Sequence, residues 1–439
     1  MKSKLNMNNI YLKYLKNQNF NSNQYEKAKG YISIKYYIKG SIIIILIIFF
    51  LLLNKEENYS LDSIFKPKID YDNSLTNLAC SIEKYFEINP LHKTLTLIDK
   101  LFEEKQPENV ILLLFDGLGT RVMNKYLDKN AFLMKNLKSE IYSVYPSSTA
   151  PCLKSIKTGL NPSEHGWLGF SIYVPQIEKI IELFSDTEKG TFKINKDFQK
   201  IKKEYYYNHK TIMELINKNG KYMAFDFSNY PYNVDTNIDK YFQRILDSLK
   251  NKGKKYIFSF FPEPDNILHI RGPKSQKINE TIQKINDKVE EYSKLILKHE
   301  KTMMIIIADH GHLMSTPEKI SYSELYKYLK NNKIFIENRS PAFLVKPSYK
   351  KEFIIAFKKN LGKNFYLLSK KDILKYKIYG EYSINKMHKF FKETSGDFMA
   401  ITKDNTNKVL FGEGDHNLAS FHGGYSDDEI YIPLIVISN

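Results

Sequence analysis

Short apolar runs alternate with longer stretches of helical periodicity along most of the chain. Asn109–Phe115 (NVILLLF) is a continuous apolar run that ends in Asp-Gly, the pattern of a central parallel strand covered on both faces. Ser139–Tyr145, Lys221–Phe227, Tyr256–Phe261, Thr302–Ala308 and Ile432–Ile437 read as further strands. Arg121–Leu127, Lys210–Asn219, Asp239–Asn251 and Lys277–His299 carry helical patterns between them. The last is long and charged on one face, as expected of a helix covering a sheet. This alternation predicts an α/β fold with a doubly wound, mostly parallel sheet sandwiched by helices. In such folds ligands gather beyond the carboxyl ends of the strands.

One apolar run breaks the pattern. Gly40–Leu53 is uncharged over 14 residues, about 21 Å as a helix. Extending it back to Tyr36, with Lys39 snorkelling and two tyrosines at the interface, gives about 27 Å, close to a hydrocarbon core. The residues before it are rich in lysine, and Lys55-Glu56-Glu57 follows it. The positive-inside rule then predicts a single-pass anchor over 36–54, with a cytoplasmic tail over 1–35 and the rest extracytoplasmic. No small-x-small cleavage site follows Leu53, which favours an uncleaved anchor over a signal peptide. Residues 55–91 read as a stalk or peripheral cover, and 92–439 as the catalytic domain. Within it, the less regular stretches 165–208 and 313–421 read as cap insertions.

The 439 residues allow one large domain or two medium ones with a sizeable core. Of the formal charge of +17, residues 1–54 contribute +7 and the remainder +10. The lysines are scattered among Asn, Ile and Tyr, with no basic stripe interleaved with aromatics, so nucleic-acid binding is not expected. A positive surface can still draw anionic substrates. Cys80 and Cys152 are the only cysteines, without a CxxC or a disulfide framework.

Asp116, Asp265 and Asp309 each fall at or just past a predicted strand end. His269 and His310 follow closely, and His422 precedes Gly423-Gly424. A single strand-end Asp is commonly a turn residue or helix N-cap, and a single loop His needs no function. Gathered together, these oxygen and nitrogen donors suit zinc and its neighbours. Two such groups around a hydroxyl would form a two-metal site that activates an oxygen nucleophile against phosphorus. Thr149 lies in Tyr145–Gly159 (YPSSTAPCLKSIKTG), where a helix is predicted to begin at about Ala150 or Pro151. It reads either as a helix N-cap or as a nucleophile in the positive field of the helix start. Ser147 and Ser148 are its nearest competitors. His165, Trp167, His312 and His416 lie near the motifs and read as supporting or structural.

Five segments carry a family resemblance. They are LLLFDGLG at Leu112–Gly119, YPSSTAPCLKSIKTGLNPSEHG at Tyr145–Gly166, PDNILH at Pro264–His269, IIIADHGH at Ile305–His312 and FHGGYSDDEIYIPLIV at Phe421–Val436. In this order the chain resembles the alkaline phosphatase superfamily, and most closely its type I phosphodiesterase and nucleotide pyrophosphatase branch. The resemblance implies one metal held by Asp265, His269 and His422. It implies a second held by Asp116, Asp309 and His310, facing the Thr149 oxygen, with both metals Zn2+. Thr149 would attack phosphorus through a phospho-threonine intermediate. The expected protein is a membrane-anchored phosphodiesterase or pyrophosphatase acting on a small-molecule or lipid substrate. The alternatives are a phospho-head-group transferase or lipid phosphodiesterase at the membrane surface, and a catalytically silent binding protein of the same fold. Cys152 is followed by Leu-Lys-Ser, so the C/S-x-P-x-R pattern of sulfatases is missing. The Asn that eukaryotic-type nucleotide pyrophosphatases carry after the HG is also missing: Trp167-Leu168-Gly169-Phe170 follows His165-Gly166.

Overall fold

The fully buried run Asn109–Phe115 (β1) pairs in parallel with two equally buried strands, Lys255–Phe261 (β4) and Thr302–Ile307 (β5). Leu137–Tyr142 (β2), Met223–Phe227 (β3) and Tyr431–Ser438 (β6) complete a six-stranded sheet of order β2-β6-β5-β1-β4-β3. These relationships come from a computed structural model. It describes residues 65–439 except 192, 229–236, 300, 383–384, 404–405 and 413–414. Pro67–Asn439 forms one compact unit. The tail and anchor expected over 1–54 lie outside the described residues. Among the described residues no helix is long and apolar enough to cross a membrane.

β6 runs antiparallel to both of its neighbours, whereas β1, β3, β4 and β5 are parallel to one another. The reason lies in where β6 starts. The chain reaches it from the loop holding His422, at the end of the sheet where the other strands finish, and returns through the sheet from there.

Helices pack around the sheet as the periodicity predicts. Gln276–Ile296 buries Ile278, Ile282, Ile285, Val289 and Ile296 along one stripe and exposes its charges. Its Tyr292 ring stacks on Phe242 of Ile238–Leu249 at 4.6 Å between centroids.

Two sequence expectations change. From Pro67 onward, the segment read as a stalk or peripheral cover belongs to the compact unit, which fits the cover and not the stalk. Leu75–Tyr85 is a helix with Leu75, Leu78, Ala79, Cys80 and Ile82 fully buried, packed on the helix Thr149–Thr158. Its apolar face follows helical periodicity, and so much apolar surface is stable only against a partner.

The stretches 165–208 and 313–421 are more regular than expected. Strands from both join one antiparallel eight-stranded sheet, from Ser171–Val174 to Lys193–Ile194 in the first stretch and from Phe335–Ile336 to Phe398–Thr402 in the second. This sheet has its own core, in which Phe343, Phe353, Phe357 and Phe398 pack together. Cys80 and Cys152 are both buried and free.

The Leu75–Tyr85 helix carries a pH-sensitive group. Burial pushes the Glu83 carboxyl up to about 8, and its Oε2 has no hydrogen-bond partner. The folded chain therefore holds this proton more tightly than the unfolded chain. The associated stability is complete below the ordinary value of 4.5 and drains away as pH rises to about 8. Thermal melts should find Glu83→Gln close to the parent at pH 4.5. At pH 8.5 the variant should be more stable, by on the order of 3 kcal/mol. A difference that stays flat across this range would remove Glu83 as the source.

Candidate metal centre

The register of the three central strands builds the floor of the site. Phe115 pairs with Phe261 and Leu114 with Ile307, so the next residues of β1 and β5 are neighbours: Phe115 beside Ala308, and Asp116 beside Asp309. Asp265 comes three residues past Pro262, at the start of the helix Asp265–Arg271. Its amide donates to the Asp116 carbonyl at 3.0 Å, which ties the two loops together. One helical turn later, His269 brings Nε2 to 3.3 Å from Asp265 Oδ1. The Asp309 loop approaches the Asp116 loop closely, because Gly119 and Gly311 meet without side chains. A Cβ on either would overlap neighbouring backbone.

All seven residues singled out in the sequence converge here. Asp265, His269, His422 and also His312 form one group, and Asp116, Asp265 and His310 a second. In each group the ligand atoms lie within 4.8 Å of one another. Asp309 joins the second group, with Oδ2 3.4 Å from His310 Nε2. Thr149 Oγ1 lies 3.1 Å from His310 Nε2 and 3.4 Å from Asp116 Oδ1. The helix starts at Thr149 itself, one residue earlier than expected, and Ser148 is its N-cap. Thr149 is therefore not the cap: its hydroxyl is turned toward the carboxylates.

Backbone carbonyls fix the three imidazoles. His269 Nδ1 faces the Ser420 carbonyl at 2.9 Å, His422 Nδ1 the Ser147 carbonyl at 3.1 Å, and His310 Nδ1 the Gly311 carbonyl at 3.0 Å. A carbonyl only accepts, so each neutral ring carries its proton on Nδ1 and turns the Nε2 lone pair inward. His269 and His422 consequently oppose their Nε2 atoms at 3.2 Å. Asp309 Oδ1 accepts the Gly117 and His310 amides at 3.0 and 2.9 Å, while the buried Oδ2 has no hydrogen-bond partner.

Lone pairs facing lone pairs and carboxylates suit cations between them. The charge balance agrees. Burial, with Asp309 and Asp265 nearby, pushes the Asp116 carboxyl well above the usual carboxylate range. Burial alone would raise Asp265 too, but His269, His312 and His422 hold it well below. Burial beside His310 holds the His422 imidazole well below its ordinary value, keeping it neutral and able to donate a lone pair.

The structure adds residues that the sequence did not single out as site residues. His312, read only as supporting or structural, contacts Asp265 Oδ1 at 2.5 Å and Ser420 Oγ at 3.1 Å, and so holds the carboxylate in place. Arg339 and Glu429 are both fully buried and form a two-pronged pair at 2.7 and 2.8 Å. Glu429 also accepts the Gly424 amide at 2.7 Å, and its carbonyl accepts the Gly311 amide at 2.9 Å. One residue thus braces the loop after His422 and the loop after His310. No spacing in the sequence points to this pair. His165 bonds Ser155 Oγ, Trp167 Nε1 donates to the Tyr206 carbonyl, and His416 lies beside Glu182; all three are structural.

The type I phosphodiesterase / nucleotide pyrophosphatase family is matched over residues 110–424. The chain belongs to this family. Human ectonucleotide pyrophosphatase/phosphodiesterase family member 1 is 26% identical over 218 residues, which cover 47% of this chain and 23% of the human protein. Venom phosphodiesterase 2 of Crotalus adamanteus is 26% identical over 288 residues, 60% of this chain and 33% of its own length. The chain thus spans a third or less of the curated relatives it matches. Murine ectonucleotide pyrophosphatase/phosphodiesterase 5 shares the fold, with a TM-score of 0.57 at 17% identity, over 75% of this chain and 88% of its own. That murine protein is also known in an inactive form in complex with AMP.

The donor geometry sets an expectation for metal content. Elemental analysis of the purified protein should find close to two divalent metal equivalents. Chelation should lower the melting temperature, since a cation bound only by the folded state stabilises it. His422→Ala should lose mainly the equivalent shared with Asp265 and His269. Metal content near zero, with melting indifferent to chelator, would refute the assignment.

Proposed function

We propose that this chain is a metal-dependent phosphodiesterase or nucleotide pyrophosphatase that works through Thr149. One observation carries the reading: the Thr149 hydroxyl lies at the N-terminus of a ten-residue helix, 3.1 Å from His310 Nε2 and 3.4 Å from Asp116 Oδ1. Asp265, His269 and His422 would hold one cation, and Asp116, Asp309 and His310 the other; the mixed Asp/His set favours zinc. When bound, such cations make a hydroxyl acidic at neutral pH and screen the charge of a transferring phosphoryl group.

The residues do the rest. His310 Nε2 and Asp116 Oδ1 are both acceptors, so the hydroxyl proton points away from the lone pair that attacks. The helix N-terminus directs free amides and positive field toward the phosphoryl oxygens. Thr149 Oγ1 forms a bond to phosphorus as the bond to the leaving oxygen breaks, leaving a phospho-threonine. Water then attacks that phosphorus and restores the hydroxyl. Transfer to an alcohol instead of water would make the protein a head-group transferase, so acceptor products belong in any assay panel. Nitrophenyl diesters, dinucleotides and lysophospholipids cover the substrate classes.

Thr149→Ala should abolish nearly all diester turnover while keeping the fold and metal content. Thr149→Ser should retain part of it, and Ser147→Ala and Ser148→Ala should be mild by comparison. Acid trapping followed by peptide mass analysis should place the phosphoryl group on Thr149. A fully active Thr149→Ala variant, or a phosphoryl group on either serine, would reject the assignment.

We also propose that the apolar run over 36–54 anchors the catalytic part outside the cytoplasm, on the charge asymmetry that flanks it. Protease added to intact cells should digest the part beyond Asn54. Protection until lysis would reverse the orientation.

A further inference from the structure

The residue before the proposed nucleophile leads to a carboxylate with no role so far. Ser148 is extended, with φ −142° and ψ 149°, and the helix begins at the next residue. Thr149 turns to Asp116 and His310. Ser148 turns the other way and donates to Glu337 Oε1 at 2.5 Å. The Phe170 amide donates to the same oxygen at 2.8 Å. Both hydrogen bonds fall on Oε1, and His310 and Lys189 favour the charged carboxylate electrostatically. Its side chain lies against Gly423, next to His422: at φ +85°, a Cβ there would come within 2.7 Å of Glu337 Cγ. Glu337 is largely enclosed but keeps some solvent access. It therefore stands between the loop of Thr149 and the loop of His422.

We propose that Glu337 is a specificity-determining residue: its carboxylate rejects a dianionic phosphoryl group and admits the monoanionic phosphate of a diester. This deepens the phosphoryl-transfer reading above and rests on it. Above neutral pH a phosphomonoester carries one more negative charge than a diester. Glu337 is held by Ser148, the residue before Thr149, and His310 of the site already acts on its carboxylate electrostatically, so its charge is felt where a phosphoryl group on Thr149 would sit. At an effective dielectric of about 20, like unit charges about 10 Å apart weaken binding on the order of tenfold. Burial pushes the Glu337 carboxyl up to about 7, so it is charged at pH 8.5.

The test compares the parent, Glu337→Gln and Glu337→Asp at pH 8.5. It measures kcat/KM for nitrophenyl phosphate and for methyl nitrophenyl phosphate, orthophosphate affinity by calorimetry, and metal content. Glu337→Gln should raise monoester kcat/KM and orthophosphate affinity on the order of tenfold while diester kcat/KM stays within about threefold. Glu337→Asp, which keeps the charge, should keep the parent's substrate ratio. Should the Gln variant lose metal or fail to fold, Glu337→Ser removes the same charge with a smaller side chain and carries the same expectation. An unchanged substrate ratio in a metal-loaded neutral variant would overturn the proposal. So would an equal fall for both substrates, which would mark Glu337 as a mere brace. If the parent cleaves neither ester, the phosphoryl-transfer reading fails on its own. Orthophosphate affinity then decides whether Glu337 repels dianions, with equal binding to parent and variant overturning it.

Discussion

Three backbone carbonyls govern this site. By accepting from the Nδ1 atoms of His269, His310 and His422, they force three Nε2 lone pairs into a space already holding Asp116, Asp265 and Asp309. A protein interior does not tolerate such an arrangement unless positive charge accompanies it. The raised Asp116 and the unpartnered Asp309 Oδ2 express the same strain in charge balance. The rest of the scaffold holds these groups against their repulsion. Aligned strand ends set the carboxylate spacing, side-chain-free contact at Gly119 and Gly311 closes two loops together, and Glu429 ties the His310 loop to the His422 loop.

The legible part of the fold was the part with strong local physics. β1, β4 and β5 are buried on both faces, so their runs are apolar throughout and unmistakable. The acidic residues at their ends were legible for the same reason, because the strand end defines the position. The eight-stranded antiparallel sheet was not. Its strands are two to five residues long, too short for alternation to stand out, and they come from two distant stretches. Leu75–Tyr85 was passed over because the polar residues flanking it dominate a coarse reading, while its burial depends on the distant helix Thr149–Thr158.

Residues whose roles come only from tertiary contact stayed invisible. His312 stands in a legible motif, yet its task follows from Asp265, 47 positions earlier, arriving at 2.5 Å. Arg339 and Glu429 are 90 positions apart and look like ordinary surface charges until their burial is seen. Glu337 is more elusive still: its partners are Ser148 and Phe170, 189 and 167 positions away. Phe170 also lies in the segment where the Asn of related enzymes was expected and not found. In the structure the Phe170 amide donates to the Glu337 carboxylate, a contact between two distant segments that no local pattern announces.

The second sheet is therefore more than an outer covering. Phe335–Ile336 is one of its shortest strands, and the four residues that follow include Glu337, Arg339 and Ser340. Glu337 reaches the nucleophile loop, Arg339 holds Glu429, and Ser340 Oγ donates to the Gly423 carbonyl. Ile336 adopts φ +77°, a conformation that a β-branched residue takes only when its surroundings impose it. That turn re-aims the chain from the sheet into the site. An excess of +10 after residue 54 gives the protein an attractive field for anions at long range. A carboxylate beside Thr149 acts only at short range. The proposed selection by charge would thus depend on a turn in the second sheet, at the residue after Ile336, and not on the parallel strands that carry the metal ligands.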